Sequence, residues 1–84
     1  MKTLILYSSC DGQTKKIAEF MAQYLEGEVV VSPLMEELDI QFFDQVIIGA
    51  SIRYGHFNKQ LYHFVERYHE LLNAKSAVFF GVNL

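Results

Sequence analysis

The stretch LILYSSCDGQTKKIAEF, Leu4 to Phe20, decides the fold. It opens as an unbroken apolar run, halts at Ser8-Ser9-Cys10-Asp11-Gly12, and resumes with apolar residues at helical spacing. An apolar run without alternation suits a strand buried on both faces, as in a parallel sheet, and predicts a strand over 2–8. Ile17, Ala18, Met21, Ala22 and Leu25 share one helical face, with Lys15, Lys16, Glu19, Gln23 and Glu26 on the other. That spacing predicts a helix over 13–25, with Gly27 as its C-terminal cap. Strand, short polar loop and helix in this order are the opening of a βαβ unit.

The rest of the chain repeats the alternation. Glu28–Ser32 is a β-branched run stopped by Pro33, a second strand. Leu34–Ile40 is acidic and weakly periodic, read as a single helical turn or an irregular crossover. Gln45–Ala50 is a third buried strand, followed by a loop, SIRYGHF, over 51–57. Asn58 is placed to cap a second helix whose apolar stripe is Leu61, Phe64, Val65, Tyr68, Leu71 and Leu72. Ser76–Val82 is a fourth strand. Strands alternating with helices imply an α/β fold, a doubly wound parallel sheet with right-handed crossovers. Two helices are thin cover for four strands that must be buried on both faces. The 84 residues are therefore expected to be the N-terminal portion of a single domain, truncated after the fourth strand.

Composition narrows the partners. Half of the chain is apolar, enough for a folded core, and the net charge of −3 is spread without a basic block. Nucleic acid is not an expected partner. No apolar run approaches the roughly 20 residues of a membrane span. The start MKTLILYSS resembles a signal peptide, but its apolar run falls short of the about 7–15 residues required and no A-x-A site follows. A lone cysteine, Cys10, forms no internal disulfide and fits a reducing compartment. The expectation is one cytoplasmic unit.

The first loop invites a chemical reading. A helix start behind a parallel strand offers unpaired N–H groups and a partial positive charge to an anion. Ser9 and Thr14 add hydroxyls, and Gly12 lets the backbone approach a ligand closely. Simple helix capping by Ser8, Ser9 and Asp11 is the competing account. Cys10 with Lys16 is similar to the Cys-x5-Arg loop of small tyrosine phosphatases. That likeness is poor, because lysine lacks the planar fork that grips a phosphoryl group.

Ser9-Cys10-Asp11-Gly12-Gln13-Thr14 resembles the flavodoxin phosphate loop, with Asp11 in place of a hydroxyl donor. Gly49, Ala50, Ser51, Tyr54 and Gly55 occupy the positions of the second flavodoxin loop, whose small residues, aromatic and glycine flank the flavin ring. Taken together, MKTLILYSSCDGQT, VIIGASIRYGHF and SAVFFGVNL are similar to the menaquinone-dependent protoporphyrinogen IX oxidases of bacterial haem synthesis, a flavodoxin-like family that uses FMN.

The resemblance implies oxidation of protoporphyrinogen IX to protoporphyrin IX, with electrons passed through FMN to menaquinone or ubiquinone. It also implies peripheral association with the inner face of the cell membrane. By position, Ser9, Asp11, Gly12, Gln13 and Thr14 would hold the FMN phosphate, while Ser51, Ile52, Arg53, Tyr54 and Gly55 would line the flavin. Asp11 is expected to offer its backbone N–H, its carboxylate turned to cap the helix or away from the phosphate. Tyr54 would stack on the ring, or else pack as a rim aromatic on the next helix. Arg53 and His56 are the catalytic candidates, a fixed cation and a proton relay near the ring. A solvated surface arginine and a local hydrogen-bonding histidine are their bland alternatives. His63 and His69, six apart, are poorly spaced for one metal, and no metal is expected. Two other functions stay open: a flavodoxin-like electron carrier without its own organic substrate, and an inactive truncated remnant. An uncovered fourth strand would also leave a sheet edge free for self-association.

Overall fold

The computed structural model describes residues 1–8, 13–34, 39–53, 56–57 and 59–83. The elements are β1 (Lys2–Ser8), α1 (Gln13–Ala22), β2 (Glu28–Pro33), a 3-10 turn (Ile40–Phe42), β3 (Gln45–Arg53), β4 (His56–Phe57), α2 (Lys59–Ala74) and β5 (Ser76–Asn83). β1 lies between β2 and β3, and β5 pairs with the far side of β3. These four strands are parallel, with Leu4 opposite Val30 and Val46, and Ile48 opposite Phe79. The chain first moves outward from β1 to β2, then crosses back to β3 and leaves in the opposite direction to β5. The winding reverses between β1 and β3.

Alternating side chains divide the core in two. Leu4, Leu6, Val46, Ile48 and Ala50 pack with Leu61, Phe64 and Leu72 of α2. Ile5 and Ile47 face the other way and pack with Ala18, Met21 and Ala22 of α1. Both faces of β1 and β3 are thus covered, which explains why their sequences are apolar without alternation. Lys75 fastens the β2–β3 crossover to the α2–β5 turn: its Nζ donates to the carbonyls of Gln41, at 3.0 Å, and Phe43, at 2.6 Å.

Several expectations need correction. α1 ends at Ala22 rather than Leu25, and the chain leaves it through tight turns in which Gln23 N–H donates to Phe20 O and Tyr24 N–H to Met21 O. Gly27 is therefore not the helix cap. Its φ of +86° and the approach of the Met1 carbonyl to where a Cβ would sit explain the glycine instead. The segment 51–57, expected as a loop, is largely strand: β3 runs on to Arg53, and His56–Phe57 returns antiparallel to it. Asn58, the expected cap of α2, lies outside the described residues. Gly49 has a packing reason of its own: the Phe80 ring of β5 occupies the space its Cβ would need.

Candidate functional site

In a doubly wound sheet, ligands bind beyond the carboxyl ends of the strands where the winding reverses. Here that point lies between β1 and β3. β1 stops at Ser8, paired with Ala50, while β3 continues for Ser51, Ile52 and Arg53. On one side this extension pairs with β5, Ser51 opposite Val82 and Ile52 opposite Asn83. On the side β1 has vacated it pairs with β4, Ile52 opposite Phe57 and Arg53 opposite His56. The β3–β4 hairpin thus stands directly past the end of β1, at the mouth from which the chain enters α1.

That arrangement brings two segments far apart in sequence to one end of the sheet. Gln13 and Thr14 open α1, and Ser51, Ile52, Arg53 and His56 form the hairpin. Ser9, Cys10, Asp11, Gly12, Tyr54 and Gly55 lie outside the described residues. No acidic residue occupies the first turn of α1, so the partial positive charge of that helix start is not offset from within the turn.

Thr14 is the informative side chain. It is completely buried, and among the described residues its Oγ1 has no hydrogen-bond partner. Folding stripped the hydroxyl of water without returning a partner, at a cost of about 1–3 kcal/mol. Such a group at a helix start, at the carboxyl end of the sheet, is suited to an anionic ligand oxygen that supplies the missing bond. Ser8, also buried, ends the neighbouring strand.

Other candidates stand apart. His63 and His69 are exposed on α2, where His69 Nδ1 lies 3.3 Å from Glu66 O. Among the described residues no three His, Cys, Asp or Glu side chains gather to hold a metal ion. No helix among them is long and apolar enough to cross a membrane. Sequence reasoning missed β4, whose two residues carry no strand signature of their own. It also missed the Lys75 clamp, a contact across more than thirty residues.

Comparisons with known proteins agree with this geometry. Residues 4–84 match the flavodoxin domain. The chain is 42% identical over 89 residues to the protoporphyrinogen IX dehydrogenase [quinone] of Escherichia coli K12, covering 100% of this chain and 49% of that protein. It is 38% identical over 91 residues to the Leishmania major protein of the same name, covering 99% of this chain and 38% of that one. The chain thus spans half or less of the length of these curated relatives. Among solved structures, a Fusobacterium nucleatum flavodoxin bound to flavin mononucleotide superposes with a TM-score of 0.80 at 14% identity, over 98% of this chain and 52% of that one.

Proposed function

The chain belongs to the flavodoxin-domain family, and on that premise we propose that it forms the FMN-phosphate-binding part of a quinone-linked protoporphyrinogen IX dehydrogenase of haem biosynthesis. The observation that carries this reading is the buried, unpartnered Oγ1 of Thr14 at the start of α1, beside the point where the winding reverses. The residues present fit a phosphate monoester: a hydroxyl in need of a partner, a helix start with no acid in its first turn, and small polar residues between Ser8 and Gln13. Ser9, Asp11, Gly12, Gln13 and Thr14 would hold the phosphate. Ser51, Ile52, Arg53, Tyr54 and Gly55 would line the flavin. When bound, FMN supplies reversible two-electron chemistry between an organic donor and a quinone.

The chain's own residues have simpler tasks. The Arg53 guanidinium offers a permanent positive charge for a substrate carboxylate or for negative charge on the ring. His56, its register partner, is the group able to take or return a proton near neutral pH. Protoporphyrinogen IX, menaquinone or ubiquinone, a cytoplasmic location and a peripheral seat on the inner membrane face complete the proposal. The support is the 42% identity to the Escherichia coli dehydrogenase across the whole chain. The electron-carrier alternative leans on likeness to flavodoxins at 14% identity, which speaks to the fold alone.

The test has two stages. FMN is titrated into the purified protein and flavin fluorescence is followed; quenching at micromolar flavin is expected, and its absence refutes cofactor binding by this chain. Protoporphyrinogen and a soluble quinone are then supplied, and porphyrin fluorescence is compared with the autoxidation rate. Acceleration supports the dehydrogenase, whereas FMN binding without acceleration supports a carrier.

A further inference from the structure

Both helices begin at the carboxyl end of the parallel strands: α1 follows β1, and α2 follows the β3–β4 hairpin. A helix start carries a partial positive charge, so stability favours an acid in the first turn and a base in the last. Neither helix has either. Instead, α1 has Lys15 and Lys16 in its first turn, and α2 begins with Lys59. All three are exposed, and among the described residues none of them forms an ion pair.

The remaining charges sort the same way. The hairpin adds Arg53 to this end of the sheet, where no acid lies among the described residues. Glu26, Glu28, Asp39, Asp44 and Glu70 lie toward the amino end, against Lys2 and Lys75. Asp11, Glu36 and Glu37 lie outside the described residues. A chain of net charge −3 thus gathers cations around the mouth, at positions where they oppose the helix dipoles. Local rules of stability are broken where function requires it. An independent observation names the ligand class. At the start of α1 the fully buried Thr14 Oγ1, without a partner among the described residues, calls for an anionic oxygen.

We infer that Lys15, Lys16 and Lys59 form an anion-gathering rim. They speed the arrival of a dianionic small molecule at the mouth, a phosphate monoester or a pair of carboxylates, and do not grip it. Exposed ammonium groups hold little in water. Several of one sign around a mouth nevertheless raise the on-rate of a counter-charged ligand about 10- to 1,000-fold. Holding is left to the buried hydroxyl and the helix start. The rim rests on the placement of charge, and the two dianions chosen as probes rest on the function proposed above.

Stopped-flow fluorescence reads the association of FMN with the 84-residue chain, and riboflavin, which lacks the phosphate, is the uncharged comparison. A second arm compares protoporphyrin IX with its dimethyl ester in nonionic detergent. At about 20 mM salt, Lys15→Gln, Lys16→Gln and Lys59→Gln combined should slow dianion association about tenfold. The effect should shrink to within about twofold at about 0.5 M salt, where charges are screened beyond about 4 Å. Dissociation rates should barely change, and riboflavin and the ester should show no such dependence. Lys2→Gln, the same charge change at the other end of the sheet, should leave the rate within about twofold. The triple variant should melt no lower than the parent, because its lysines oppose the helix dipoles. The inference is overturned if dianion association ignores the three lysines or the salt, if Lys2→Gln slows it equally, or if neither dianion binds. FMN that binds at a rate indifferent to the lysines removes the rim and leaves the cofactor reading intact. Porphyrin capture that needs them, without FMN binding, does the reverse.

Discussion

Replacing Thr14 with valine should move stability and affinity in opposite directions. Valine keeps the branched shape and nearly the same helix propensity, so the change removes one hydroxyl and little else. Among the described residues that hydroxyl is fully buried without a partner. Removing it relieves a cost of about 1–3 kcal/mol. For a domain of this size each kcal/mol is about 4–8 °C in Tm, so the apo variant should melt several degrees higher. With FMN present the hydroxyl would donate to a charged phosphate oxygen, a bond of about 1.5–3 kcal/mol. Its loss should weaken FMN about 10- to 150-fold. Differential scanning calorimetry of the apo protein and fluorescence titration of FMN read the two effects separately. A variant that is less stable, with unchanged affinity, would show that the hydroxyl serves the protein and that no phosphate sits there.

Four further substitutions test other parts of the structure. Gly12→Val should lower FMN affinity, because a β-branched side chain crowds the tight approach of backbone to phosphate; unchanged titration curves would move the phosphate elsewhere. Gly49→Ala should cost about 1–3 kcal/mol by forcing the Phe80 ring from its seat, and Phe80→Leu in the same chain should recover part of it in urea melts. Gly27→Ala should destabilise by at least about 1 kcal/mol, since a side chain at φ +86° meets the Met1 carbonyl. Lys75→Met should cost about 1–3 kcal/mol by releasing the carbonyls of Gln41 and Phe43, again read by urea melts.

What could be read from the residues was what local chemistry determines. β1 keeps its expected bounds of Lys2–Ser8, and β2 and β5 each extend one residue beyond theirs, because parallel strands declare themselves as short, largely apolar runs. The doubly wound order follows from the alternation of such runs with helical stripes. The errors lie where pairing is non-local. Nothing within Ser51–Arg53 signals a strand; these residues are extended because β5 reaches them on one side and β4 returns on the other. α1 stops short although Leu25 keeps its apolar phase, since the helix must turn to deliver the chain to Gly27 beside Met1. Gly49 also has a partner that the local sequence does not show. A glycine near a strand end resembles a ligand-facing position, whereas its partner is a phenylalanine thirty-one residues later in sequence. At the site, the need for Thr14 was visible in the loop pattern, but its orphaned hydroxyl is a property of packing alone.

The fit of Phe80 over Gly49 also sets an order of events during synthesis. β3 is central, yet its α1 face has a gap at Gly49 that neither α1 nor its neighbour β1 fills. The filling ring comes from β5, which is made after β1, β2 and β3. The earlier elements can collapse as they emerge, but their sheet stays incompletely packed until β5 has been made. Packing of β3 therefore waits for a strand made after it, and a stall in translation before residue 80 would hold the nascent chain in a loosely packed, aggregation-prone state.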